Sequence, residues 1–246
     1  MKARSVTIVV RQPPEYFKGS VLVAGFPGFG RVGHVIPRYL ASALSLSKVG
    51  YVLTPKLPSM IVMEDDGIGF PFELYAGKGV VSVVNRAVPE PADQNAYCNE
   101  LALWASQVGV RMAVLVGGLS REYEQQDEKY GYRWLHNSLY SDPKLSAPLM
   151  EEGLGVVGPL ALLHIYLEHY GVPSVMVLPY SAVEAVDYDA ALVGMKVIVN
   201  EVLGIQASME ELEKLAEKQK EELEKITELL ASQAREGRQG GTNIFM

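Results

Sequence analysis

Hydrophobic and polar positions fall into short apolar runs separated by amphipathic segments. Ser5–Val10 and Ser20–Ala24 are rich in β-branched residues and read as strands. The second run leads into a glycine-rich turn and then a helical pattern over Val32–Leu46. Val49–Thr54 is a third strand, and Met60–Met63, Ile68–Tyr75 and Val80–Val84 are further ones. They are joined at Asp65-Asp66-Gly67 and Gly77-Lys78-Gly79, which are hairpin signals and imply some antiparallel pairing. A helix over Asp93–Val108 precedes a continuous apolar strand, Met112–Val116, that ends at Gly117-Gly118. Residues 120–148 are polar and without period, and are expected to form an insertion or long loop. A helix over Gly158–Tyr170 has Pro159 in its first turn. A buried strand at Val175–Pro179 and a helix over Asp187–Leu203 follow. Strands alternating with helices predict an α/β layered domain with a largely parallel sheet covered on both faces.

The pattern changes at Ser208. Ser208 and Glu211 have capping-box spacing, and neither proline nor glycine follows until Gly237. Leu212, Ala216, Gln219, Leu223, Ile226 and Leu230 alternate by four and three, the spacing of a narrow apolar seam. Glu210 with Lys214 and Glu221 with Lys225 are favourable pairs one turn apart. Such a helix can lie along its own domain, act as a solvated spacer, or form oligomers through Leu212, Leu223, Ile226 and Leu230. The last reading is preferred, although Gln219 leaves the seam imperfect. The expected organisation is a globular domain over 1–207, a helical arm over 208–236 and a flexible tail over 237–246. A helix from Met209 to Glu236 spans about 42 Å, and the tail adds roughly 33–36 Å when extended.

The tail reads GRQGGTNIFM. Its glycines make it flexible, yet it ends on Ile244, Phe245 and Met246 beside a carboxylate. Apolar residues at the tip of a flexible segment suit a docking plug, the side chains filling a pocket and the carboxylate meeting a cation or backbone N–H groups. The plainer reading is a strand folded back on its own domain.

Composition narrows the partners. The chain has 246 residues, 48% of them hydrophobic, enough for one large core. Its net charge of −7, without a basic cluster, argues against nucleic acid. The single cysteine, Cys98, excludes an intrachain disulfide and a multi-thiolate zinc site, and is expected to be a buried small hydrophobe. The N-terminal run is not expected to be a signal peptide. The longest apolar stretch, Leu154–Leu167, is shorter than the ~20 residues that cross a bilayer. A soluble, cytoplasmic protein is expected.

Gly25-Phe26-Pro27-Gly28-Phe29-Gly30-Arg31-Val32-Gly33 holds the spacing Gly28-x-Gly30-x-x-Gly33 between a strand and a helix, the setting of a pyrophosphate site. The next strand, however, ends at Leu53-Thr54 with no acidic residue for a ribose. Arg31-Val32 stands where a phosphate loop needs Lys and Ser/Thr. Close packing, with Phe26 and Phe29 in a core or an interface, is therefore preferred to nucleotide binding. His164, His169 and Glu168 lack metal-site spacing. Ser120 has no assignable His–Asp partners, and Glu151-Glu152 and Asp187 with Asp189 read as helix-start carboxylates. No catalytic, cofactor or metal site is assigned.

These residues resemble the proteasome assembly chaperones in their archaeal-type, single-gene form, over most of the chain. Gly25–Gly33 is similar to the family's GFPGFG-x-VG signature. Supporting matches are Val116-Gly117-Gly118-Leu119, Gly155-Val156-Val157-Gly158-Pro159 with Leu162-Leu163, and Asp187-Tyr188-Asp189-Ala190-Ala191. The resemblance implies a three-layer α/β/α sandwich like that of nucleoside phosphorylases, without an established reaction of that class. It implies a homo-oligomer, tetramer or pentamer, that docks its tail between α-type subunits of the proteasome core particle, with a second family member as a further candidate partner. Ile244 then takes the hydrophobic position, Phe245 the family's tyrosine position and Met246 the terminal carboxylate. The alternative is an enzyme, nucleoside-phosphorylase-like or an ATP-dependent ligase, that binds nucleotide or phosphate at the glycine loop.

Overall fold

Predominantly apolar runs build the centre of the sheet, because those strands are covered on both faces. The computed structural model describes residues 5–64, 67–125, 129–141 and 145–239. The strands in chain order are β1 (Thr7–Val10), β2 (Val21–Gly25), β3 (Ser47–Leu53), β4 (Val62–Glu64), β5 (Gly67–Gly69) and β6 (Phe72–Gly77). Then come β7 (Val80–Asn85), β8 (Met112–Val116), β9 (Leu119–Ser120), β10 (Tyr132–His136) and β11 (Ser174–Ser181). The helices are α1 (Val32–Ala43), α2 (Pro91–Gln107), α3 (Pro159–His169), α4 (Tyr188–Lys196) and α5 (Glu210–Gln239), with a π-helical segment, Val197–Leu203, after α4.

The main sheet runs β1-β3-β6-β7-β2-β8-β11-β10, with β9 also paired to β11. Its centre, β7-β2-β8-β11, is parallel. Both flanks are antiparallel, β1, β3 and β6 on one side and β10 on the other. The sheet is thus less parallel than the alternation of elements predicts. One cause is the Lys78-Gly79 turn between β6 and β7, where both residues have positive φ, 51° and 73°. That geometry suits a two-residue hairpin, too short for a crossover.

Alternate residues of the central strands enter opposite cores, as strand geometry requires. Leu22, Ala24, Ala113, Leu115, Met176 and Leu178 pack with Tyr97 and Leu101 of α2 and Leu163 and Leu167 of α3. Val23, Val114, Val116, Val175 and Val177 pack with Ile36 and Leu40 of α1 and Ala191 and Met195 of α4. Each fully buried aliphatic side chain contributes roughly 1.5–3 kcal/mol. Two cores on one sheet make the three-layer α/β/α sandwich.

Two local departures have clear causes. The run expected as one strand from Ile68 to Tyr75 is split at Phe70-Pro71, since proline offers no N–H to a ladder. The polar segment expected as a loop contains β10, paired along its length with β11. Its Arg133 is buried, but Nε donates to Glu151 at 3.0 Å and the guanidinium lies over the Tyr180 ring. A buried charge with such partners is tolerated in a strand.

Candidate functional site

Gly25 closes β2, and residues 26–31 carry the chain to α1. A Cβ on Gly25 would stand 2.5 Å from the Gly33 carbonyl oxygen, and one on Gly33 would stand 2.6 Å from that of Val116. Pro37, four residues after Gly33, has no N–H for the Gly33 carbonyl, which is left outside the helical ladder. Gly30 adopts the left-handed region, φ 59°, and a Cβ there would meet the side chains of Ser181 and Asp187 at 2.8 and 2.9 Å. Gly118 likewise lies against the Phe29 carbonyl and the Ser181 hydroxyl. Phe26 is buried edge-on to Tyr97 at 5.8 Å, whereas Phe29 is exposed. At Gly28, by contrast, a Cβ would meet only the Phe26 carbonyl oxygen, at an ordinary contact distance of 3.9 Å. Gly25, Gly30 and Gly33 therefore make room for neighbouring protein atoms.

Polar groups around the loop hold it in place. Asp187 Oδ1 accepts from Ala190 N at 2.9 Å, and Oδ2 accepts from Ala182 N at 2.9 Å and Arg121 Nη2 at 2.8 Å. Its own N–H donates to Gly30 O. Burial alone would raise the Asp187 pKa, but these N–H groups and the guanidinium hold it below the usual carboxylate range. Asn85 Nδ2 donates to Gly25 O at 2.7 Å, and Asn85 Oδ1 accepts from Tyr97 OH at 2.6 Å. His34 Nδ1 lies 2.9 Å from Asn85 O. A carbonyl only accepts, so Nδ1 carries the proton. Burial, aided by the charges of Arg31, Arg86 and Arg38, pushes the His34 pKa down to about 4.

The other sequence candidates take structural places. Ser120 Oγ accepts from Glu122 N and caps a short turn. Cys98 is buried, and burial pushes its thiol up to about 12. Among the described residues, no three His, Cys, Asp or Glu side chains are grouped to hold a metal. Among them, no helix is long and apolar enough to cross a membrane.

The arm divides in two. Helix α5 begins one residue later than the Ser208 box predicts, with Glu213 N donating to Met209 O. Leu212 is 1% exposed and Ala216 is buried, both against their own domain. Leu212 is therefore not available to another protomer. Gln219, the imperfection in the seam, hydrogen-bonds to Val186 and Tyr188 at the start of α4. Leu223 and Ile226 are 58% and 54% exposed. The Leu230 side chain and all of Ile244, Phe245 and Met246 lie outside the described residues.

Sequence reasoning missed one constellation. Glu73 of β6 is fully buried and Arg86, just after β7, nearly so. Lys48 Nζ lies 2.8 Å from Glu64 and 3.1 Å from Glu73, and Arg86 pairs with both carboxylates. Tyr75 OH donates to Glu73 Oε2 at 2.9 Å. Burial would raise the Glu64 pKa, but Lys48 and Arg86 hold it below its ordinary value. Burial and the Glu73 carboxylate push the Tyr75 pKa far above that of a free phenol. The available signal was Glu73 itself, a carboxylate inside an apolar strand.

Known structures share this architecture. PbaA of Pyrococcus furiosus, described as an archaeal homologue of a proteasome-assembly chaperone, superposes with a TM-score of 0.78 at 19% identity, over 99% of this chain and 100% of that one. PbaB of the same organism, described as an archaeal proteasome activator, gives 0.73 at 19% identity over 91% and 99%. In sequence, the uncharacterized protein MJ1210 of Methanocaldococcus jannaschii is 23% identical over 219 residues, 86% of this chain and 84% of that protein. The PAC2 family profile matches residues 22–227, a span from the first core strand into the arm, and the chain belongs to the PAC2 family.

Proposed function

We propose that the protein is a non-enzymatic proteasome assembly chaperone or proteasome-binding factor of the cytoplasm. Its PAC2 membership and the likeness of its fold to PbaA and PbaB support this reading. The single observation that carries it is an α5 rooted on the body by Leu212 and Gln219, with Leu223 and Ile226 exposed beyond them, in a chain whose sequence ends in Ile244-Phe245-Met246. The tail docks onto α-type subunits of the proteasome core particle. Ile244 and Phe245 fill a pocket there, and the Met246 carboxylate meets a cation or backbone N–H groups. Leu223, Ile226 and Leu230 continue the seam past Gln219 and join copies into a homo-oligomer. Linked tails then gain effective concentration that one plug lacks. A second family member can enter the same assembly through this seam.

The nucleotide- or phosphate-binding alternative finds no support in a loop whose Gly25, Gly30 and Gly33 are closed over by neighbouring atoms. The deciding experiment deletes Ile244–Met246 and measures retention of purified proteasome α-type subunits on the immobilised protein. Loss of retention, with an unchanged melting temperature and oligomer mass, is expected. Retention equal to that of the full chain overturns the docking role.

A further inference from the structure

A cavity of about 470 Å³ opens where the last turn of α1, the start of β3, the β4–β5 hairpin and the first turn of α5 meet. Its volume lies within the range of small-molecule sites. Its floor is the Lys48–Glu64–Arg86 cluster, with Glu73 beneath. Three cations, Lys48, Arg86 and Arg38, are set there against three carboxylates, Glu64, Glu73 and, on the opposite rim, Glu211.

The most loosely paired of these cations is Arg38. Its Nη1 is 3.6 Å from Glu64, beyond hydrogen-bond length, and its side chain is 51% exposed. Among the described residues it makes no hydrogen bond, and neither do the hydroxyls of Tyr39, Ser42 and Ser45 on the wall. Ser45 holds a left-handed φ of 51° at the rim, a conformation costly for a residue with a Cβ. The floor already accommodates one carboxylate, that of Glu64, whose oxygens accept from Lys48 and Arg86. A guanidinium offers paired N–H donors matched to an oxyanion. Glu211 at the opposite rim disfavours a multiply charged anion.

We propose that this cavity binds a small polyhydroxylated molecule with a single, singly charged oxyanionic group, a sugar acid. The oxyanion pairs with Arg38, and the ligand's hydroxyls bond to Tyr39, Ser42 and Ser45. The site is separate from the glycine loop and independent of the tail.

Isothermal titration of the full chain with gluconate, ribose 5-phosphate, inorganic phosphate and neutral ribose tests this. Saturable one-to-one binding of gluconate is expected, with ribose 5-phosphate and inorganic phosphate, both multiply charged near neutral pH, binding more weakly. Arg38→Gln weakens it about tenfold, the loss of one charge-assisted contact. Ser45→Gly removes a hydroxyl while easing the backbone, so it weakens binding and raises the melting temperature. Arg11→Gln, an exposed cation elsewhere, leaves binding unchanged. The proposal is overturned if gluconate does not saturate below about 10 mM, a very weak affinity, or if ribose 5-phosphate binds more tightly than gluconate. Equal binding of ribose, or an Arg38→Gln protein that melts normally and binds like the parent, overturns it as well.

Discussion

Gln219 of α5 grips the start of α4 with both ends of its amide. Nε2 donates to Val186 O at 2.5 Å, and Oε1 accepts from Tyr188 N at 3.0 Å. Because a carbonyl only accepts and an N–H only donates, the partners fix the amide's orientation. The Tyr188 N–H is one of the orphan donors at a helix start.

Gln219→Ala removes both bonds and is expected to cost about 1–2 kcal/mol in urea unfolding. Leu223→Ala, one turn on and exposed, is expected to stay within about 0.5 kcal/mol. On the proposed role of the seam, it is expected instead to shift the oligomer toward smaller species in light scattering. Leu212→Ala costs about 2–5 kcal/mol because it empties a site inside the parent domain.

The glycines of the 25–33 loop are expected to separate sharply. Gly25→Ala and Gly33→Ala force a Cβ into backbone and destabilise by about 3 kcal/mol or more. Gly28→Ala makes only an ordinary van der Waals contact with the Phe26 carbonyl oxygen and costs less than about 1 kcal/mol. Urea unfolding of the three variants checks this; equal costs would contradict the packing role.

Asp187 makes stability depend on acid. Its folded pKa is below the unfolded value of about 3.9. Its contribution is therefore complete above that value and disappears as pH falls through the folded pKa. Asp187→Asn is expected to lower the melting temperature at pH 6 and to flatten its decline below pH 4. Calorimetry from pH 2.5 to 6 reads both effects.

Glu73 sits between Lys48 and Arg86 with no exposed surface. Glu73→Gln leaves these cations short of a counter-charge and is expected to cost about 3–5 kcal/mol in urea unfolding. Glu73→Asp keeps the charge but shortens the reach, and should fall between the two.

Phe245→Tyr restores the hydroxyl of the family's tail pattern. One neutral hydrogen bond, about 0.5–1.5 kcal/mol, corresponds to roughly two- to tenfold tighter binding to α-type subunits. Surface plasmon resonance with both tails provides the comparison.

The elements that sequence discloses are those whose signal is local. Met112–Val116 is apolar at every position, and the strand has those bounds. The Lys78-Gly79 hairpin shows in its turn residues. At the glycine loop, the sequence also shows that the acidic partner required for a ribose is missing. What stayed hidden depends on groups distant in sequence. Arg133 argues against a buried strand until Glu151 and Tyr180 are beside it. Lys48, Glu64, Glu73 and Arg86 come from different elements, and no spacing announces their meeting. Gln219 looks like a flaw in a heptad because the sequence does not reveal that α4 starts against it.

Since α5 is bolted down at Gln219, the residues from there to Gln239 set both distance and compass bearing for whatever lies beyond. Each inserted residue advances the far end by about 1.5 Å and swings it by about 100°. One added alanine would turn the end away almost without lengthening the helix, whereas seven would restore the heading about 10.5 Å farther out. Reach and direction can thus be varied independently, with the parent domain left as it is.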